Sequence, residues 1–151
     1  MEAETVSSAE RPFNRHQSLG YLVNQLARLF AQRLERRLAV HGIPLGQFPL
    51  LLVLWEENGL TQSEIARRLD FEQPTVANTL RRMMRDGLVR MHPDPTNRKK
   101  VLVFLTEKGH RLHDPLSAEA RAVNAEAAAA LGPEEMTGLR HAIARLTDAL
   151  R

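Results

Sequence analysis

The sequence predicts a mainly α-helical fold, with a helix-turn-helix followed by a small β-hairpin and flanked by long N- and C-terminal helices. Three observations predict it. Apolar residues recur at three- and four-residue steps along 19–38 and again along 136–150. The segment LTQSEIARRLDFEQPTVANTLRRMMRDGL carries the start and stop signals of two short consecutive helices. Two runs rich in β-branched and apolar residues, LVRMH and VLVFLT, bracket the turn-forming PDPTNRKK.

Bulk composition narrows the functions available. A chain of 151 residues, 43% of them hydrophobic, can bury one substantial core and is short for two independent ones. One domain is expected over 13–151, after a polar, acidic opening (MEAETVSSAERP) expected to be disordered. No apolar run approaches the roughly 20 residues that span a bilayer, and the opening does not resemble a secretory signal, so a cytoplasmic protein without a membrane partner is expected. The absence of cysteine excludes disulfides, thiolate metal sites and thiol switches. Formal charge is +3, yet residues 81–100 alone carry a surplus of five positive charges, from Arg81, Arg82, Arg85, Arg90, Arg98, Lys99 and Lys100 against Asp86 and Asp94. A polyanionic partner and a solvated charged surface both fit that surplus.

The elements follow in order. Leu19, Leu22, Val23, Leu26, Leu29, Phe30, Leu34 and Leu38 form the stripe of a long amphipathic helix that ends near Gly42. Pro44 to Asn58 reads as a second, mostly buried helix closed by Asn58 and Gly59. Thr61 and Glu64 have the spacing of a capping box, so a short helix starts there and ends about Leu69, with Ile65, Ala66 and Leu69 inward. Pro74 suits the first position of the next helix, with Gln73 as its cap. Two helices so closely joined make a helix-turn-helix. In the second, Val76, Leu80, Met83 and Met84 should face the core, leaving Thr75, Ala77, Asn78, Thr79, Arg81, Arg82 and Arg85 on the other sides. Gly87 stops the helix in a left-handed conformation. After the hairpin, Thr106 caps a helix that Pro115 should kink or break near Asp114, and Gly132 and Pro133 open a last helix carrying Met136, Leu139, Ile143, Leu146 and Leu150. Nothing further in the chain is left to cover that last stripe, which points to an isologous dimer.

The stretch from Phe71 to Gly87 reads as a helix with two dissimilar ends, and groove geometry accounts for them. A helix entering the major groove by its N-terminal end needs short groups there, so that backbone approaches base edges, and longer cations further on to reach phosphates. An ordinary surface helix with a basic face is the competing reading. The hairpin, with Arg98, Lys99 and Lys100 at its tip, completes the layout of a winged helix and could reach an adjacent minor groove, although like charges on a solvated tip are also common.

LTQSEIARRL, QPTVANTLRRMMRDGLV and NRKKVLVFLTEKG together resemble the MarR-type winged-helix transcriptional regulators, over about residues 15–151. The family's recognition helix usually reads S-T-V-T-R-L-V, and Pro74, Thr75, Val76, Ala77 and Asn78 occupy those places. The resemblance implies a winged helix over about 45–106 and dimerisation helices over about 15–41 and 107–151. It also implies a homodimer on a palindromic double-stranded operator, as a repressor, often released by a small aromatic acid, a phenolic compound or a coenzyme A thioester. The residues expected at DNA are Thr61, Gln62, Ser63, Gln73, Pro74, Thr75, Ala77, Asn78, Arg81, Arg82, Arg98, Lys99 and Lys100. Those expected to line an effector site are Phe13, His16, His41, Phe48 and Trp55, with Arg28 or Arg36 as anion partners, each also readable as core or solvated face. The wing departs from the family's usual Asp-x-Arg: Asn97 and Lys99 hold those places, so Arg98 or Lys99 would make the minor-groove contact. Glu72, close to the expected phosphates, is explained only by a role at the helix N-terminus.

Rival classes are weaker. His110, His113 and Asp114 could approach one another as metal ligands, but exposed side chains beside a helix break explain them more simply. There is no Gly-rich phosphate loop, nucleophile elbow or paired carboxylate, so neither an enzyme nor a cofactor is expected. A DNA-binding regulator ungated by any small molecule, or one answering to a metal, stays open as an alternative.

Overall fold

The computed structural model describes residues 11–151, and most of the opening segment expected to be disordered lies outside them. Ser18 accepts a hydrogen bond from the Tyr21 N–H and starts α1 (Leu19–Ala39), which turns off through left-handed Gly42. A tight turn at Leu45–Gln47 leads into α2 (Phe48–Glu56), so the helix expected over 44–58 is a 3-10 turn followed by a shorter α-helix. Phe48, Leu50, Leu51, Val53 and Leu54 bury α2 as its composition demands.

The capping box forms: Thr61 Oγ1 accepts from the Glu64 N–H at 3.2 Å, and the Thr61 N–H donates to Glu64 Oε2 at 3.1 Å. It opens α3 (Gln62–Leu69), and left-handed Asp70 turns the chain into α4 (Gln73–Arg85). Two expectations for α4 are corrected. Its cap is Glu72 rather than Gln73, so Gln73 is already helical and Pro74 sits second, which costs no hydrogen bond because first-turn N–H groups have no helical partner. That position also accounts for Glu72, whose carboxylate lies at the positive end of the helix dipole. The buried stripe is Val76, Thr79, Leu80 and Met83, while Met84 is 41% exposed. Thr79 is tolerated inside because its hydroxyl donates to the Thr75 carbonyl at 2.8 Å.

Left-handed Gly87 ends α4, and β2 (Val89–Pro93) and β3 (Val101–Leu105) form the antiparallel hairpin, with Met91 opposite Val103. A third strand, β1 (Leu60–Thr61), pairs antiparallel with β3, giving the order β1-β3-β2. Thr106 caps α5 (Glu107–Arg111); the break falls at Leu112, and Pro115 sits in the first turn of α6 (His113–Ala128), where it removes no helical hydrogen bond. The final α7 (Pro133–Leu150) buries no residue within its own chain.

One apolar cluster joins these parts, running from Leu38 of α1 through Leu51, Ile65, Leu80 and Val103 to Leu116 of α6. Beyond it, α1 packs along α6 yet leaves Leu19, Leu22, Val23, Leu26 and Leu29 exposed, as α7 leaves Leu139, Ile143, Leu146 and Leu150. Among the described residues, no helix is long and apolar enough to cross a membrane.

Candidate nucleic-acid interface

Burying Val76, Leu80 and Met83 decides what α4 shows to solvent. The opposite face carries Pro74, Asn78, Arg81 and Arg85 at steps of four, three and four, flanked by Thr75 and Arg82, with Ala77 at the edge. Short groups therefore occupy the N-terminal half of this face and guanidinium groups the C-terminal half.

The hairpin tip is rigidified from within. The Asp94 carboxylate accepts from both the N–H and the hydroxyl of Thr96, each at 2.8 Å, and these bonds hold its pKa below the usual carboxylate range. Asn97 Oδ1 accepts from the Lys99 N–H at 3.2 Å, and backbone bonds Asp94–Lys100 and Lys100–Asn97 close the turn. Asp94 and Asn97 are thus engaged with the turn, and Arg98, Lys99 and Lys100 are exposed to solvent. Among the described residues, none of Arg81, Arg82, Arg98, Lys99 and Lys100 enters an ion pair, whereas Arg33, Arg37, Arg68, Arg111 and Arg151 each do.

Sequence-distant candidates meet at a groove of about 540 Å³, where Thr61, Gln62 and Ser63 at the start of α3 face Lys99 and Lys100 of the wing. Arg67 and Glu64 share that groove and were not anticipated; the i, i+4 step from Ser63 was the signal for Arg67. Thr61 is committed to its cap through the side-chain oxygen, which leaves Gln62 and Ser63 the freer groups.

The effector candidates are more dispersed. An apolar cleft of about 450 Å³ opens between α1, α2 and α6, walled by Phe30, Leu34, Leu45, Phe48, Leu52 and Val123, among others; of the seven candidates only Phe48 lines it. Trp55 lies behind, edge-on to Phe48 at 6.2 Å and to His113 at 5.1 Å, its indole N–H donating to the Gly109 carbonyl at 3.0 Å. Phe13 and His16 are exposed ahead of α1, Arg28 and Arg36 are exposed along it, and His41 is half-buried in the turn after it. Phe30 and Leu34 belong to the apolar stripe expected of the first helix and Leu52 to the second, and periodicity does not separate a filled interior from the wall of a cleft. His113 Nδ1 lies 2.7 Å from Asp114 Oδ1, and among the described residues no three His, Asp or Glu side chains gather in a metal-binding set.

Behind α4, its C-terminal end is held from two sides. Gln47, 2% exposed, donates through Nε2 to Asp86 Oδ2 at 2.9 Å, and that bond, with a second from Arg85, holds the Asp86 carboxyl below its ordinary pKa. Lys108 Nζ donates to the Asp86 carbonyl at 2.9 Å, and the Thr106 hydroxyl to the Gly87 carbonyl at 2.6 Å.

Known proteins share this fold. The MarR family model matches residues 43–101, from the turn before α2 to the first residue of β3, which takes in α3, α4 and the wing tip. The HTH-type transcriptional regulator TtmR of Methylorubrum extorquens is 37% identical over 94 residues, 62% of this chain and 48% of that protein, so the match spans about half its length. YwoH of Bacillus subtilis, described as an uncharacterized HTH-type transcriptional regulator, is 30% identical over 128 residues, 85% of this chain and 91% of its own. Among solved structures, a Listeria monocytogenes MarR family protein determined with a 26mer DNA superposes with a TM-score of 0.83 at 22% identity, covering 89% of each chain. BpsR of Bordetella bronchiseptica, whose DNA binding is described as regulated by 6-hydroxynicotinic acid, superposes at 0.84 with 20% identity, over 91% of this chain and 99% of its own. With YwoH matched over most of both chains and the same helix-turn-helix and wing in the solved structures, the chain belongs to the MarR family of DNA-binding transcriptional regulators.

Proposed function

We propose that the protein works as a homodimer on a palindromic operator, as a repressor, with α4 of each protomer in a major groove and the wing at the neighbouring minor groove. The observation that carries this reading is the division of the exposed face of α4, with Pro74, Thr75 and Asn78 towards one end and Arg81, Arg82 and Arg85 towards the other. Asn78 can pair with the N6 and N7 edge of adenine, and the guanidinium groups reach the flanking phosphates. Gln62, Ser63, Arg67, Lys99 and Lys100 line a groove beside the wing that offers polar groups and cations to a phosphate backbone, and Arg98 supplies the minor-groove contact.

Two substitutions test the division of labour. Arg98→Ala weakens binding and flattens the salt dependence, because a cation held in the minor groove displaces counterions as a phosphate contact does, at a slope of about 0.9 in log K against log salt per phosphate neutralised. Asn78→Ala relaxes base preference and leaves the slope unchanged. Identical behaviour of the two would refute the reading. A footprint of the dimer shows half-sites about 10 base pairs between centres, one turn of roughly 34 Å.

We propose also that an aromatic acid, a phenolic compound or a coenzyme A thioester enters the apolar cleft and releases the DNA. The cleft has the size and lining of a small-molecule site, and regulation by an aromatic acid is described for BpsR. Trp55 reports on it through Phe48, so its fluorescence is titrated against 6-hydroxynicotinic acid, salicylate and p-coumaroyl coenzyme A. Saturable change supports gating, and silence across the panel favours an ungated regulator.

A further inference from the structure

We infer that Gln47 is a positioning residue for DNA reading: from behind, it sets the attitude of α4 through its hydrogen bond to Asp86. Gln47 is buried, and it is an expensive group to bury. Its Nε2 donates to Asp86 Oδ2, while its Oε1 has no hydrogen-bond partner. Turning the amide over would set Oε1 against the Asp86 carboxylate, so the unpartnered carbonyl is inherent in the arrangement. A buried acceptor left unsatisfied destabilises the fold, and an apolar side chain of the same shape would pack there without that cost. What the glutamine supplies is therefore a direction. It ties the turn at Leu45–Gln47 to the residue that closes α4, 39 positions along the chain. Asp86 is gripped at the same time by Lys108 through its carbonyl, so the end of α4 is fixed between the turn before α2 and the start of α5. A helix that reads bases from its N-terminal half is aimed by whatever holds its other end. The turn also belongs to the cleft, since Leu45 and Phe48 on either side of Gln47 form part of its wall.

The inference rests on the reading of α4 as the base-contacting helix, and its test separates the two. The probes are the duplex that the wild-type protein selects from genomic fragments and a scrambled duplex of the same length and composition. The quantity read is the ratio of the two affinities, alongside the melting temperature. Gln47→Met removes the bond and the unpartnered carbonyl together, and Asp86→Ala removes the bond from the solvent side. Both are expected to lower the ratio about tenfold, the order of one mismatched base pair, and Gln47→Met does so without a fall in melting temperature. The double variant loses no more than either single one, because both remove the same link. Asp86→Asn keeps an acceptor for Nε2 and brings a donor for Oε1, so it retains the wild-type ratio. Asn78→Ala is the control, and its ratio falls if α4 reads bases. A Gln47→Met ratio within twofold of wild type while Asn78→Ala falls overturns the positioning role. So does a ratio that falls only in step with melting temperature across the set. An unchanged Asn78→Ala ratio instead refutes the reading of α4.

Discussion

Replacing Gly109 by alanine sets two effects of opposite sign against each other, and the structure decides which wins. Gly109 is buried in α5, where helix propensity alone favours alanine by about 1 kcal/mol. A Cβ on Gly109, however, would stand 2.4 Å from the Leu88 carbonyl oxygen and 3.1 Å from Leu105 Cδ2. That is about 0.9 Å inside the roughly 3.3 Å of a close carbon–oxygen contact. Neither partner can retreat without loss. The Leu88 carbonyl accepts the Thr106 N–H at 2.9 Å, and the Gly109 carbonyl accepts the Trp55 indole at 3.0 Å, so moving strand or helix lengthens one of these bonds. Overpacking costs about 1–3 kcal/mol and a disrupted buried hydrogen bond a similar amount, which outweighs the propensity gain and leaves a net destabilisation of about 2–3 kcal/mol. At about 2–4 °C per kcal/mol for a chain of this size, thermal unfolding followed by circular dichroism shows a midpoint lowered by roughly 5–10 °C. A Gly109→Ala variant that melts at or above the wild-type temperature refutes the reasoning, because propensity would then have decided a position assigned here to steric contact.

Gly138 lies in α7 off its apolar stripe, and a Cβ added there would meet no atom within 4 Å, so Gly138→Ala raises the melting midpoint by about 2–4 °C in the same experiment. Arg151 Nη2 lies 2.8 Å from Asp70 Oδ2, and its hydrogen bonds hold the Asp70 carboxyl below its ordinary 3.8. Arg151→Gln moves the Asp70 pKa upward in an NMR titration; since a depressed carboxyl pKa stabilises above the unfolded value, any stability difference between the two proteins fades as pH falls below about 3.8. Ile143→Glu combined with Leu146→Glu, placed on the uncovered face of α7, yields a monomer in sedimentation analysis and abolishes the two-fold footprint, and a variant that stays dimeric refutes the assignment of that face.

Where local chemistry determines local structure, the sequence was legible. The Thr61–Glu64 box, Gly87 at the end of α4 and the Thr106 cap are each set by neighbours within about four residues, and each formed where expected. Errors of one or two positions came from interchangeable solutions to the same need. Glu72 could precede α4 as well as Gln73, and the break before α6 could fall at Leu112 because Pro115 is harmless in a first turn. Met84 was misplaced because hydropathy favoured it over Thr79, whereas a 3.6-residue period centred on Val76, Leu80 and Met83 puts Thr79 inside once its hydroxyl has the Thr75 carbonyl. A two-residue strand such as β1 has no period to detect; its partner lies some forty residues on, in β3. Gln47 with Asp86, and Asp70 with Arg151, escaped for the same reason, since tertiary packing alone brings those residues together.

The uncovered stripes of α1 and α7 carry the remaining argument about assembly. A monomer of this size rarely exposes a contiguous apolar patch of more than a few hundred Å², yet Leu19, Leu22, Val23, Leu26 and Leu29 are about half exposed along one helix and Leu139, Ile143 and Leu146 along the other. Polar residues at the intervening positions show that these are amphipathic helices, each with one face made to be buried. A second copy presents the same two stripes, so a two-fold axis lets each chain cover the other with no new sequence feature. In the proposed dimer the same axis would bring two copies of α4 to one duplex, which ties the apolar face of α7 to base recognition by a helix it does not belong to. Charge at Ile143 and Leu146 is therefore expected to cost DNA binding although neither residue is assigned a contact with DNA.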